Sequence, residues 1–120
     1  MTKIGLFDGN AHYLYIVRAE LSDEKWEEEF NRWYDQHHVP GLLAVPGFIS
    51  ATRFSQLGPP RRYLAVYEIE GPEVFQEPRY LEVTGWGEWE PLIHDWRAVV
   101  YEQVETRGGG MTKVFPEDER

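Results

Sequence analysis

The spacing of apolar and polar positions changes several times along the chain, and each change marks an element. Residues 13–19 (Tyr-Leu-Tyr-Ile-Val-Arg-Ala) are a short run rich in aromatic and β-branched side chains, which predicts a strand buried on both faces for most of its length. Asp8-Gly9-Asn10 before it reads as a turn or irregular lead-in. Ser22 stands where a hydroxyl caps a helix, with Asp23 and Glu24 at the positive end of the helix dipole, and a helix is expected over residues 23–38. Trp26, Phe30, Trp33 and His37 recur at spacings of four, three and four, giving one aromatic face that His37 extends toward the sheet. Tyr34 and His38 form a neighbouring row, and Glu27, Glu28 and Arg32 turn to water. Pro40 and Gly41 are expected to end this helix.

Pro46-Gly47 suits a type II turn, and residues 48–54 alternate as a second strand. Gly58-Pro59-Pro60 breaks that strand and residues 62–69 form a third, so the two make an antiparallel hairpin. Pro72 opens a new helix, which Pro78 interrupts after about two turns. Gly85, Gly87 and Pro91 then divide the chain into broken helical turns around Trp86 and Trp89, and residues 96–104 form the last strand. The order β-α-β-β-α-β is the split βαβ arrangement of a ferredoxin-like α+β fold, an antiparallel sheet with helices on one face. Both alternating sets of strand residues are apolar, Tyr15, Val17, Ala51, Val66, Val99 and Tyr101 among them, so the other sheet face needs a cover, and a homodimer through that face supplies one.

Composition narrows the function classes. A chain of 120 residues with 42% hydrophobic content fits one domain, expected over residues 1–106, with a mobile tail at 107–120. Twelve basic against 21 acidic residues give a net charge of −9 with no basic patch, which argues against nucleic acid and anionic membrane as partners. Without cysteine there is no disulfide, thiol nucleophile or thiolate metal site, as suits a cytoplasmic protein. The N-terminal residues lack the apolar region of a signal peptide, and no apolar run approaches the roughly 20 residues of a membrane helix. Aromatic residues make up 15% of the chain, enough both to fill a small core and to line a pocket for a flat ligand.

Three stretches are similar to a known family. Glu29-Phe30-Asn31, Trp33-Tyr34-Asp35 and His38-Val39-Pro40, followed by Val45-Pro46-Gly47-Phe48 and Arg53, resemble the EthD-like family of the dimeric α+β barrel superfamily. Tyr63-Leu64-Ala65, Tyr67-Glu68 and Val100-Tyr101-Glu102-Gln103 fit the same pattern, and the likeness runs over residues 13–104. The resemblance implies a ferredoxin-like subunit whose sheet faces that of a second copy, with a ligand cleft between each sheet and its own helices. It places the family's histidine on His38 and its tyrosine on Tyr34; His37 departs from the pattern, which more often has an acid or another polar residue there.

A histidine near neutral pKa can take and return a proton without metal or cofactor. The expectation is that His38 is the general acid/base, that Asp35 or a backbone carbonyl fixes its tautomer, and that Tyr34 donates to a developing oxyanion. The alternative role for His38 is to cap the helix C-terminus. Arg53, alternating with Ala51, either points into the cleft to hold a carboxylate or phenolate or faces solvent. Tyr67, Trp86 and Trp89 are candidate aromatic walls, His37 and His94 candidates to complete the substrate site, and His12 a loop residue near the cleft mouth. Neighbouring helix residues point about 100° apart, so His37, His38 and His94 are not expected to share a metal; haem enters only by analogy with the fold. The function expected is a cofactor-independent lyase or isomerase for a small aromatic or polyketide-like compound, with a non-catalytic small-molecule binding protein and a cofactor-free oxygenase as alternatives.

Overall fold

The computed structural model describes residues 12–104, so the lead-in and the C-terminal tail expected from the sequence lie outside the described residues. Four strands form one antiparallel sheet: β1 (Tyr13–Leu21), β2 (Phe48–Ser55), β3 (Arg62–Ile69) and β4 (Ile93–Glu102), in the spatial order β2-β3-β1-β4. This is the ferredoxin-like order expected from the element pattern, with the hairpin β2-β3 at one side and β1 in the middle. No described helix is long and apolar enough to cross a membrane.

The register decides which side chains share a face. Tyr15 lies opposite Tyr67 on β3 and Val100 on β4, Val17 opposite Ala65 and Ala98, and Arg53 on β2 opposite Ala65. Successive strand residues point to opposite faces, so Tyr15, Val17, Ala19, Tyr63, Ala65 and Tyr67 form the inner, helix-covered surface. The β1–β4 ladder slips between Arg18 and Glu20, where Asp95 has a positive φ of 49° and its carboxylate meets Arg18 at 3.6 Å and Arg62 at 3.5 Å.

The first helical segment is longer than the sequence suggests. A 3-10 turn at Glu24–Trp26, capped by Asp23 through a 3.1 Å bond from Lys25 N–H and not by Ser22, leads into α1 (Glu27–Trp33). A π turn, Tyr34–His38, follows, and α2 (Val39–Leu43) carries the chain past Pro40. Proline lacks the N–H of a regular helical bond and its ring presses on the carbonyl four residues back. Here the turn widens, Val39 N–H reaches back to the Tyr34 carbonyl, and Pro40 falls in the first turn of α2, where its missing donor does no harm. Pro40 therefore reshapes the helix instead of ending it. Pro78 likewise opens a helix: it starts α3 (Pro78–Val83), after a 3-10 turn at Pro72–Gln76. A further 3-10 turn, Gly87–Leu92, corresponds to the broken turns expected around Trp89.

Phe30 is fully buried at the centre of the helix–sheet interface, with ring centroids of Trp33, Tyr34, Tyr63, Trp86 and Trp89 between 5.4 and 6.4 Å away. The turn at Val45–Phe48 depends on Gly47: its φ is +95°, Phe48 N–H donates to the Val45 carbonyl at 3.1 Å, and a Cβ at Gly47 would collide with Val74 Cγ1. Gly47→Ala is expected to cost roughly 1–3 kcal/mol in denaturant unfolding, from the strained φ and the collision together.

Candidate functional site

The π turn determines which histidine faces inward. In a regular helix His37, four residues after Trp33, would continue the aromatic stripe. A π turn holds about one residue more, so the position over Trp33 passes to His38, five residues on. The His38 ring stacks on Trp33 at 4.8 Å and 16°, meets Tyr34 edge-on at 5.0 Å and stacks again near Trp86 at 6.2 Å and 26°. His37 is exposed, which corrects the expectation that it packs on the sheet.

His38 lines a cavity of about 270 Å³ between β1, β4 and the segment around Trp86. Tyr15 and Ala98 form its floor, Trp86 and Trp96 meet edge-to-face at 6.0 Å on one wall, and Tyr80 and Glu90 complete the rim. Burial, with a smaller contribution from the Arg53 cation, lowers the His38 pKa from 6.5 to about 4. The imidazole is thus a free base at neutral pH.

The other expected residues are distributed unevenly around it. Arg53 stays outside the cavity: Nη1 donates to Asp35 Oδ1 at 2.9 Å, Nη2 to Asn31 Oδ1 at 2.8 Å, and the guanidinium lies 4.1 Å from the Tyr34 ring centroid. The cavity sits over β1 and β4, whereas Arg53 is on the far edge strand β2. Asp35 is committed to Arg53 and makes no hydrogen bond to His38, so it does not set that ring's tautomer. Tyr34 is buried between His38 and Arg53, and burial raises its phenol pKa. Tyr67 is fully buried beneath Tyr15; its pKa is raised well above the usual phenol value, first by burial and then by Tyr34. The two phenols influence each other, yet no bond of ordinary length and angle joins them, and Tyr67 Oη is buried without a partner.

Trp86 is a cavity wall, but Trp89 belongs to the core, against Phe30 at 5.4 Å and Trp33 at 6.2 Å. His94 is exposed on β4 opposite Glu20, and exposed His12 pairs with Gln103 at 3.2 Å; neither lines the cavity. Sequence reasoning missed Tyr15, Tyr80 and Trp96 as cavity residues. Tyr15 was recoverable from its period-two row with Val17 and Ala19, while the position of Trp96 depends on the β4 slip, which leaves no mark in the sequence. Among the described residues no group of three metal-ligating side chains gathers. A larger, open hollow of about 560 Å³ near Arg61 and Arg62 offers no free charge from those arginines: Arg61 pairs with Glu24 at 2.6 Å and Glu27 at 3.1 Å, and Arg62 with Glu20 at 3.0 Å.

No protein family's sequence pattern matches the chain, and no curated protein matches it by sequence. The EthD-like assignment is accordingly not shown; what is shared with solved structures is the ferredoxin-like fold. The fold is similar to a dimeric ferredoxin-like protein from an uncultured marine organism, with 15% identity over 81% of this chain and 91% of that one and a TM-score of 0.62. SnoaB, a cofactor-independent oxygenase from Streptomyces nogalater, matches at 14% identity over 80% of this chain and 96% of that one, with a TM-score of 0.63. MhuD, a haem degrader from Mycobacterium tuberculosis, matches at 19% identity over 78% and 97%, with a TM-score of 0.58.

These neighbours overturn the lyase or isomerase reading, because the activities their names give are oxygenation and haem degradation.

Proposed function

We propose that the protein is a cofactor-free oxygenase for a one- or two-ring aromatic ketone or phenol, working as a homodimer through the open face of its sheet. The observation that carries this reading is the half-buried, free-base His38 in a cavity walled by Trp86 and Trp96. His38 removes a proton from a carbon activated by a neighbouring carbonyl, leaving an electron-rich enolate. The enolate passes one electron to O2; the resulting superoxide and substrate radical combine at that carbon as a peroxide anion, and protonated His38 returns its proton. Loss of water from the hydroperoxide leaves a new carbonyl, so that CH2 and O2 become C=O and H2O. An imidazolium with so low a pKa gives its proton back readily, which favours this second half of the cycle.

The cavity volume, about 270 Å³, falls below the roughly 300–1,000 Å³ of pockets that hold drug-sized ligands, which suits a one- or two-ring compound, and no step is assigned to a porphyrin or flavin. Support for the dimer comes from Ile16, Leu64, Val99 and Tyr101, which with Arg18 and Arg97 border an open hollow of about 410 Å³ on the sheet face away from the helices, and from the dimeric state named for the marine neighbour.

With 2-tetralone as probe, an oxygen electrode should record uptake above the buffer rate at one O2 per ketone consumed. Under labelled O2 one oxygen atom should enter the product and the other should appear in water. Binding of the ketone with no oxygen uptake would instead identify a non-catalytic binding protein.

A further inference from the structure

The hydroxyls of Tyr15 on β1 and Tyr80 on α3 lie 3.3 Å apart, both residues line the cavity that His38 lines, and their bond is part-buried. Either oxygen can be the donor, but one hydrogen serves both. Whichever phenol accepts from its neighbour keeps its own O–H free, and accepting a hydrogen bond polarises that O–H and strengthens what it donates. Trp86 and Trp96 give the cavity an aromatic wall; the tyrosine pair and Thr84 add neutral hydroxyl donors, whereas Glu90 at the rim is a carboxylate and accepts.

We infer that the Tyr15–Tyr80 pair binds the oxygen of the substrate, as ketone, enolate or phenol, and thereby sets which ring carbon faces His38. The inference rests on the proposed oxygenase only in calling that oxygen part of a substrate; binding of an aryl oxygen by the pair stands separately. Burial first, and then the bond to Tyr80, raise the Tyr15 pKa far above the usual phenol value, so Tyr15 stays a donor at any working pH. A stabilised enolate oxygen also answers a difficulty in the chemistry: a base as weak as His38 removes a carbon-bound proton only when the anion formed is held by a donor.

The probe is 2-naphthol, which has the shape of the enol of 2-tetralone but no reactive methylene, with naphthalene as the control lacking oxygen. The readouts are affinity and the acidity of the bound naphthol, followed by its own absorbance and fluorescence. Wild-type protein should bind 2-naphthol more tightly than naphthalene and make the bound naphthol more acidic than it is in water. Tyr15→Phe and Tyr80→Phe should each weaken naphthol binding about tenfold or more, leave naphthalene binding within about twofold, and return the naphthol acidity toward its value in water. Naphthol acidity unchanged in a folded Tyr80→Phe variant would overturn the inference and leave the pair as a strut between α3 and β1. If naphthol binds as expected and 2-tetralone consumes no oxygen, the inference stands and the oxygenase reading fails; oxygen uptake unaffected by either substitution has the opposite meaning.

Discussion

His38→Gln is expected to lower oxygen uptake with 2-tetralone by roughly 10²- to 10⁴-fold, the usual contribution of a positioned general base. The substituted amide keeps a planar polar group against Trp33 and Trp86 but cannot accept the carbon-bound proton. His37→Ala is the matched control: that side chain is exposed, and both stability and uptake should stay near wild type, within about 0.5 kcal/mol for unfolding. Should His37→Ala abolish uptake and His38→Gln preserve it, the inward and outward assignments made by the π turn would be reversed.

The same burial makes a prediction about pH. The His38 pKa is about 4 in the folded protein and near 6.5 in the unfolded chain. Between those values the unfolded chain binds more protons than the folded one, so stability rises with pH across that window. The contribution is fully present above about pH 6.5 and is lost as the pH falls toward 4. Urea midpoints measured from pH 4 to 7 should therefore climb in wild-type protein and climb less steeply in His38→Gln. The acid limb of kcat/KM should lie near pH 4 and not near 6.5.

The largest stability effect belongs to Phe30. Its ring is fully buried and is shared by the helix, the inner sheet surface at Tyr63 and the cavity wall at Trp86. Phe30→Ala removes transfer free energy and leaves a hole that five rigid aromatic neighbours cannot collapse into, a combination that typically costs 3–5 kcal/mol. That is a large part of the 5–15 kcal/mol available to an ordinary domain, so the variant should show a clearly lower urea midpoint. Trp33 and Trp86 both pack on Phe30 and on His38, so His38 should also move toward its ordinary pKa in this variant. A midpoint within about 1 kcal/mol of wild type would show that the aromatic cluster repacks freely and does not hold the site.

The sheet was legible in the sequence because strand runs, turn residues and their order each pointed to the same architecture. Pro46-Gly47 turns where expected, the hairpin closes across the proline-rich connection, and β1 lies between β3 and β4. Reading the helix failed at its cap and at its end. A period of 3.6 kept up to His38 and stopped at Pro40 puts His37 on the aromatic stripe, whereas the chain widens into a π turn before the proline and continues past it, so that the inward position passes from His37 to His38. The alternation left Arg53 open between the cleft and solvent; it lies on the inner face, opposite Ala65, but no periodicity tells which end of that face a cavity occupies. Its partners Asp35 and Asn31 lie four residues apart on the helical surface, so their joint claim on one guanidinium emerges only when β2 is set beside them. Tyr15 and Tyr80 stand 65 residues apart in sequence, and their meeting depends on how α3 lies against β1.

The proposed chemistry depends most on the protonation state of one ring, and a 15N NMR titration of the imidazoles reads it directly, with His38→Gln used to assign the His38 signal. His38 is expected to stay neutral down to a midpoint of about pH 4, because Trp33 and Trp86 cover much of the ring. A His38 midpoint near 6.5 would contradict it, because the ring would then be solvated and free to act as an ordinary acid and base.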